Sequence, residues 1–455
     1  MSLQVVILAA GKGTRMKSNK PKVLHEIAGK PMIEYVIETA RKLDPSNITI
    51  VYGFGGDQIK KRIQGADLSF VCQEEQLGTA HAVKQALPAI DSSDNVLVLY
   101  GDTPLVSDET LRNVIEVNSG NGLTVLTAEV ENPFGLGRII RSDDGKFLRI
   151  AEQKDASPEE LEIREINTGI CYGSAGIFKK YIELIGCNNK QNEFYLVDIF
   201  SIALQSGIDI STYKTAKDTD MFGINDHRQQ ADLERLFQKR QAEKLMEQGV
   251  TIIDPSRFDL RGTLTCGTDV VIDVNVVFEG NVKLGNNVRI GAGCVISNCE
   301  IGDNSVISPY SILESSKMGK ANTIGPFAHL RPDCETADEV HVGNFVEVKK
   351  SVISYGTKAG HLTYIGDSQV GSNVNFGAGT ITCNYDGANK HKTVIGDDVF
   401  IGSDTQLVAP VEIGNGATIG AGSTITKRVG EKELVITRVP QRHIAGWIRP
   451  QKKNK

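Results

Sequence analysis

Residues 8–16 read LAAGKGTRM and are followed by Pro21-Lys22. A glycine turn placed directly after a strand lets backbone N–H groups approach phosphate oxygens, and Arg15 and Lys22 supply cations that neutralise them. This chemistry suits a nucleoside triphosphate. The loop is not a Walker A motif, which needs G-x-x-x-x-G-K-[ST], and Met16 takes the place of the third glycine of a dinucleotide fingerprint. ATPase and dehydrogenase readings therefore lose support. A second chemical group, Asp102, follows the apolar run NVLVLY. Taken alone, the loop also fits a structural turn with two surface cations, and Asp102 fits a loop or cap residue.

The elements that must position these residues are legible in the periodicity. From residue 3 to about 225, short apolar strands alternate with helical patterns, which predicts an α/β domain with a mostly parallel sheet. LQVVIL, NITIVY, LSFVC and NVLVLY read as buried strands, and residues 31–43 carry Ile33, Val36, Ile37 and Ala40 on one helical face. In such sheets ligands bind beyond the carboxyl ends of the strands, where both the glycine loop and Asp102 fall. Residues 226–250 contain no proline and place Leu233, Leu236, Phe237 and Arg240 at helical steps, predicting a charged connecting helix ended by Gly249.

After residue 251 the pattern changes to six-residue steps in which an aliphatic or aromatic residue precedes glycine. Ile395-Gly396 and Ile401-Gly402 are one such pair, as are Ile413-Gly414 and Ile419-Gly420, Leu284-Gly285 and Ile290-Gly291, and Val370-Gly371 and Phe376-Gly377. Glycine in phase with apolar residues predicts a parallel β-helix rather than a glycine-rich loop region. The frame slips around residues 331–344, where projecting insertions are expected.

Composition bounds the alternatives. With 455 residues the chain is too long for one typical core, so two domains of about 200 residues are expected. Hydrophobic residues at 40% and charged residues at 23% fit a soluble globular protein, and no apolar run approaches the about 20 residues of a membrane span. The opening MSLQVVILAAGKG lacks a basic leader and reads as a first strand. The eight cysteines form no C-x-x-C pair, so reduced thiols in cytosol are expected. A net charge of -6 gives no broad basic field for nucleic acid, and the basic tail at 449–455 reads as a solvated end.

The strand followed by G-x-G-T-R-M and P-K resembles the signature of nucleotide-sugar pyrophosphorylases. The similarity continues through Gln73, Gly78-Thr79, Tyr100-Gly101-Asp102, Gly137, Glu152, Asn167-Thr168-Gly169 and Gly223-Ile224-Asn225. Taken with the repeat half, essentially the whole chain resembles the bacterial bifunctional N-acetylglucosamine-1-phosphate uridylyltransferase/glucosamine-1-phosphate N-acetyltransferases. The resemblance implies a Rossmann-like nucleotidyltransferase domain at 1–226, a helical linker at 227–250 and a left-handed parallel β-helix of hexapeptide repeats at 251–455. It implies that Leu8, Ala9, Ala10, Gly11, Lys22, Gln73, Gly78, Thr79, Tyr100 and Gly101 hold UTP, while Gly137, Glu152 and Asn167 hold the sugar. Asp102 and Asn225 would carry Mg2+, with Arg15 and Lys22 as catalytic cations. Displacement of pyrophosphate by a sugar phosphate needs charge neutralisation and in-line positioning more than a protein nucleophile. Phe54 stands where relatives usually show histidine, outside the implied contacts.

Acetyl transfer from coenzyme A to an amine needs a base and cations for the sugar phosphate. The resemblance places His361, within GHLTYIGD, as that base, with Arg331, Lys349, Tyr364 and Asn375 around the sugar phosphate. It places Ala378, Asn384, Tyr385, Ser403, Ala421 and Arg438 along the acetyl-CoA groove. Histidine accepts a proton near neutral pH because its unperturbed pKa is about 6.5. Taken alone, His361 also fits a structural histidine, and His329, where relatives often show arginine, is a weaker candidate. The substrates implied are glucosamine 1-phosphate, N-acetylglucosamine 1-phosphate, UTP and acetyl-CoA, in a cytoplasmic homotrimer that feeds peptidoglycan and lipopolysaccharide synthesis. No nucleic acid or membrane insertion is implied. A uridylyltransferase whose β-helix only assembles or regulates, and a nonenzymatic scaffold, stand as alternatives.

Overall fold

The computed structural model describes residues 2–118, 120, 122–217, 222–450 and 452, so the end of the basic tail lies outside the described residues. The chain divides into two compact units, Met1–Phe237 and Gln238–Lys455. Among the described residues no helix is long and apolar enough to cross a membrane.

The first unit is built on a nine-stranded sheet. Its strands are β1 (Leu3–Ala9), β2 (Asn47–Tyr52), β3 (Leu68–Cys72), β4 (Asn95–Tyr100), β5 (Leu123–Glu129), β6 (Gly137–Arg141), β7 (Phe147–Ala151), β8 (Glu165–Ser174) and β9 (Ile210–Thr215). The order is β9-β5-β8-β4-β1-β2-β3, with β6 paired to β8 and β7 to β6. Helices cover both faces, so successive residues of β1 enter different cores. Val5 and Ile7 join Ile33, Val36 and Ile37 of α1 (Met32–Arg41). Val6 and Leu8 join Ala82, Val83 and Ala86 of α2 (Thr79–Ala86). This two-sided burial explains why β1 and β4 read as unbroken apolar runs.

The sheet is mostly parallel, as the alternation predicts: β1, β2, β3 and β4 run parallel, as do β5 and β9, while β8 runs antiparallel to β4, β5 and β6, and β7 to β6. One expectation is corrected. LSFVC is not a buried strand, because β3 ends the sheet order and leaves Ser69 and Cys72 exposed. Edge position is a property of topology that an apolar run does not reveal.

The second unit is a coil of short parallel strands, three to a turn. Thr323–Ile324, His329–Leu330 and Cys334–Thr336 make one turn, and His341–Asn344, Glu347–Lys349 and Val352–Ile353 the next. Each strand pairs with its counterpart one turn on, as His329 with Glu347 and His341 with Lys358. Ile290, Ile307, Ile324, Val342, Ala359, Phe376, Ile401 and Ile419 are buried at equivalent positions of successive turns. The glycines of the six-residue pattern mark places where turns stack too closely for a side chain. A Cβ on Gly377 would come 2.4 Å from the Ser403 nitrogen, and one on Gly402 would come 2.4 Å from that of Ala421.

The insertions expected at 331–344 are absent. Ser316 pairs with Cys334 and Glu335 with Val352, so the slip there is one residue in turn length. The long turn lies elsewhere: Ser368 pairs with Thr393, and residues 384–392 project as a loop closed by the bridge between Tyr385 and Lys390.

Helix α3 (His227–Glu247) contains the division between the units. Leu233 belongs to a cluster with Met16, Ile27, Met32 and Ile224, whereas Ala242 and Leu245 belong to the β-helix core. Gln238 donates to the Leu260 carbonyl at 3.0 Å and accepts from its N–H at 2.7 Å. The second half of the helix thus covers the first turn of the coil, as terminal caps of repeat proteins do. Gly249, at φ 93, ends it.

Phe278 is fully buried and its ring lies 6.0 Å from that of Phe258. Phe278→Ala should destabilise the β-helix by about 3–5 kcal/mol. Urea unfolding followed by circular dichroism checks this, and an unchanged midpoint would exclude tight packing between the first two turns.

Candidate functional site

The glycine loop and Asp102 meet because β1 and β4 are adjacent and parallel, with Leu8 paired to Tyr100 and the Gly101 N–H donating to the Leu8 carbonyl at 3.0 Å. They line a crevice of about 600 Å3 together with Ala9, Ala10, Gln73, Gly78, Thr79 and Asn225. The backbone at Gly11 is open, with nothing within 4 Å of where a Cβ would stand. Gly78, at φ 117, allows the Phe194 backbone to approach within 2.5 Å of its absent Cβ. The Thr79 hydroxyl accepts from the Leu196 N–H at 3.0 Å, and buried Gln73 donates to the Gly78 carbonyl at 3.1 Å.

At one end of the crevice three distant segments converge. Lys22 pairs with Asp102 and donates to Asn225 Oδ1 at 2.8 Å, and Arg15 Nη2 donates to the same oxygen at 2.8 Å. The Ile224 N–H donates to the Asp102 carbonyl at 3.1 Å, which ties the segment carrying Asn225 to the segment carrying Asp102. Asp102 Oδ2 and Asn225 Oδ1 are hard oxygen donors directed at one cationic centre. Such a pair fits Mg2+, which takes few protein ligands and keeps its other positions for water and phosphate.

Gly137, Glu152 and Asn167 also come together. Asn167 pairs with Gly137 across β8 and β6, and a Cβ on Gly137 would stand 3.3 Å from Glu152 Oε1. Burial raises the Glu152 carboxyl above the usual range, with Asp198 and Asp155 adding to the effect and Arg138 opposing it. Burial also raises the Tyr195 phenol to about 12, with Asp155 and Glu152 contributing. The reading from residues alone missed Lys12, Gln76 and Glu193, which line the crevice. Lys12, inside the same loop, was there to be read as a third cation. Glu193 belongs to no motif. Phe54 is exposed and lies outside the lining.

On the β-helix, His361, Ala378, Ser403 and Ala421 occupy the same corner of successive turns. His361 pairs with Asn344, and the Leu362 N–H donates to the Asn344 carbonyl at 3.0 Å. The same link joins Asp404 to Ala378 at 2.8 Å and Gly422 to Ser403 at 2.8 Å. Arg438 Nη1 donates to the Ala421 carbonyl at 2.7 Å. At about 4.8 Å per turn, this edge runs roughly 14 Å from His361 to Ala421. The His361 side chain is exposed.

Arg331, Lys349 and Tyr364 lie on the side that follows this corner, with Arg331 Nη1 held at 3.0 Å by Glu347 Oε1. Asn375 lies on the side that precedes the corner, in the ladder of His341 and Lys358, a different side of the coil from Arg331 and Lys349. Asn384 donates to the Tyr364 hydroxyl at 3.3 Å and to Asp367 at 2.5 Å. Tyr385 projects on the inserted loop, its ring under Lys390 Nζ at 4.8 Å. His329 is engaged by Glu314 at 2.9 Å. Lys350, Lys390, His391 and Lys392, around a cavity of about 220 Å3 with Asp367, were not read as candidates, because the loop that gathers them has no hexapeptide pattern.

The chain matches three family models: a MobA-like NTP transferase domain over residues 5–155, a GMPPB C-terminal domain over 260–353 and bacterial transferase hexapeptide (six repeats) over 392–427. Among solved structures, it is similar to a putative glucose-1-phosphate thymidylyltransferase from Bacillus anthracis in complex with a sucrose. That match has 21% identity over 51% of this chain and 96% of the other, with a TM-score of 0.42. A nucleotidyl transferase from Methanothermobacter thermautotroptrophicus matches at 16% identity over 52% of this chain and 97% of the other, with a TM-score of 0.38. The chain is a transferase with an N-terminal, Rossmann-like nucleotidyltransferase domain followed by a parallel β-helix of hexapeptide repeats.

The raised Glu152 carboxyl has a thermodynamic consequence. The unfolded chain ionises this group at lower pH than the folded chain does, so Glu152 subtracts stability as pH rises above about 4.3. Glu152→Gln should raise the melting temperature of the ligand-free protein near neutral pH. The gain should close as pH falls to about 4. Thermal scans at both pH values test this, and a melting temperature lowered at neutral pH would contradict the cause assigned to Glu152.

Proposed function

We propose that this chain acetylates glucosamine 1-phosphate with acetyl-CoA on its β-helix and then joins N-acetylglucosamine 1-phosphate to UTP in its first unit. The observation that carries the two-site reading is the alignment of His361, Ala378, Ser403 and Ala421 on one edge, ending at Arg438. The crevice alone suits any nucleotide-sugar pyrophosphorylase. An edge with a histidine at one end and an arginine at the other suits an extended thioester carrying phosphates at its far end.

In the crevice, the sugar phosphate oxygen attacks the α-phosphorus of UTP, the new P–O bond forms and pyrophosphate leaves. The loop N–H groups, Arg15 and Lys22 neutralise the triphosphate and align it, while Gly137, Glu152 and Asn167 hold the sugar. Asp102 and Asn225 would hold Mg2+, which when bound neutralises charge on the triphosphate. On the β-helix, the amine attacks the thioester carbonyl, His361 accepts the amine proton and coenzyme A departs as thiolate. Arg331, Lys349 and Tyr364 hold the sugar phosphate, with Asn375 supplied across a homotrimer in which neighbouring coils share each site. The product is the nucleotide sugar of a cytoplasmic pathway to peptidoglycan and lipopolysaccharide.

A second reading, a pyrophosphorylase whose β-helix only assembles the protein, draws on the separation of Asn375 from Arg331 within one chain. Incubating the protein with glucosamine 1-phosphate, acetyl-CoA, UTP and Mg2+, with coenzyme A thiol and pyrophosphate followed separately, decides between them. The two-site reading predicts both products, and pyrophosphate released only when N-acetylglucosamine 1-phosphate is supplied directly would favour the second.

His361→Ala should lower acetyl-transfer kcat by about 10²- to 10⁴-fold and leave uridylyl transfer near wild type. A folded variant within about threefold of wild type would exclude this base. Asp102→Ala should do the reverse, depressing pyrophosphate release while acetyl transfer survives. Wild-type pyrophosphate release at low Mg2+ would overturn the metal placement.

A further inference from the structure

Both oxygens that would receive the metal are already in contact with cations of the chain. The Lys22 ammonium pairs with Asp102 Oδ2 and lies 2.8 Å from Asn225 Oδ1, which also accepts from Arg15 at 2.8 Å. The pair is sheltered, with side-chain exposure of 14% at Lys22 and 19% at Asp102, so water screens it poorly. The stem of Lys22 is fixed: it opens a short turn, Lys22–Leu24, after Pro21, and its Cβ lies 2.8 Å from where a Cβ on Gly13 would stand. The bond from the Ile224 N–H to the Asp102 carbonyl, at 3.1 Å, sets the two oxygens side by side independently of Lys22.

We propose that Lys22 is a built-in placeholder for the divalent cation, its ammonium filling the position between Asp102 and Asn225 until an incoming triphosphate draws it away. The inference rests on the nucleotidyl-transfer reading of this crevice and adds an order of events to it. A monovalent and a divalent cation repel one another at this spacing and compete for the same two oxygens. Among the described residues Lys22 pairs with no carboxylate but Asp102, so without nucleotide it holds Asp102 and keeps metal affinity low. Phosphate oxygens offer Lys22 a better-charged partner, and its terminal methylenes can turn while its stem stays against the loop. Metal and nucleotide then bind as a coupled pair, and free metal alone does not load the enzyme.

Mn2+ binding to the ligand-free full-length protein, read by electron paramagnetic resonance of the free ion, tests this without turnover. Lys22→Met, which keeps the stem and removes the charge, should bind Mn2+ roughly 5- to 150-fold more tightly than wild type. Lys12→Ala removes another cation lining the crevice and should change the affinity less than about threefold, the size expected of a screened, longer-range charge. Adding Asp102→Asn to Lys22→Met should abolish the gain. Lys22→Gln replaces Lys22→Met if the latter loses the wild-type far-ultraviolet circular dichroism. An affinity in Lys22→Met within about twofold of wild type, or an equal gain in Lys12→Ala, would overturn the placeholder. The nucleotidyl-transfer reading stands or falls separately, on whether the wild type releases pyrophosphate from UTP and N-acetylglucosamine 1-phosphate.

Discussion

Parallel pairing of neighbouring strands is the constraint on which both halves of this molecule depend. A parallel pair carries equivalent residues in the same direction, so whatever follows one strand emerges beside whatever follows the next. In the first unit, the pairing of Leu8 with Tyr100 brings the glycine loop and Asp102 to one end of the sheet, although more than ninety residues separate them. In the second, the same pairing is applied turn after turn, and residues at the corner of the coil fall one above another. A crevice and an edge are two products of one geometrical rule.

Charge is handled differently in the two places. The crevice brings Lys22 into contact with Asp102 and Asn225, and Arg15 into contact with Asn225, while in the same unit burial raises the Glu152 carboxyl and Asp198 and Asp155 add to the effect. A buried acid among acids weakens the fold and is retained where a ligand makes use of it. The edge of the β-helix is exposed, and its arginines are held by neighbours, Arg331 by Glu347 and Arg438 by the Ala421 carbonyl. The first is a crevice and the second an open surface.

The features set by local chemistry were legible in the residues. The apolar strands, the glycine loop and the six-residue step of the coil follow from side-chain periodicity and close backbone approach, and the structure contains each. Features set by topology were not. LSFVC is as apolar as a buried strand, yet β3 is an edge, and nothing within residues 165–174 announces that β8 runs against β4 and β5. A one-residue change of turn length near 331–344 produces the same slip of frame as an insertion, while the true insertion at 384–392 hides between intact repeats. For the crevice, Gln73, Gly78, Thr79, Asp102 and Asn225 were identifiable through a resemblance, whereas Glu193 is brought in by a loop that has no pattern of its own.

The helix that closes the first turn of the coil also bears on how the chain is made. A ribosome delivers residues 238–247 before residues 258–266, so the segment that forms the lid over Leu260 is made before the strand it covers. Each later turn can then pair with a strand already made, and the open edge lies at the growing end. Synthesis from the opposite end would expose an unpaired strand at both ends of the coil throughout. The direction of translation and the placement of the lid thus agree, and the coil can lengthen one turn at a time from a surface already sealed.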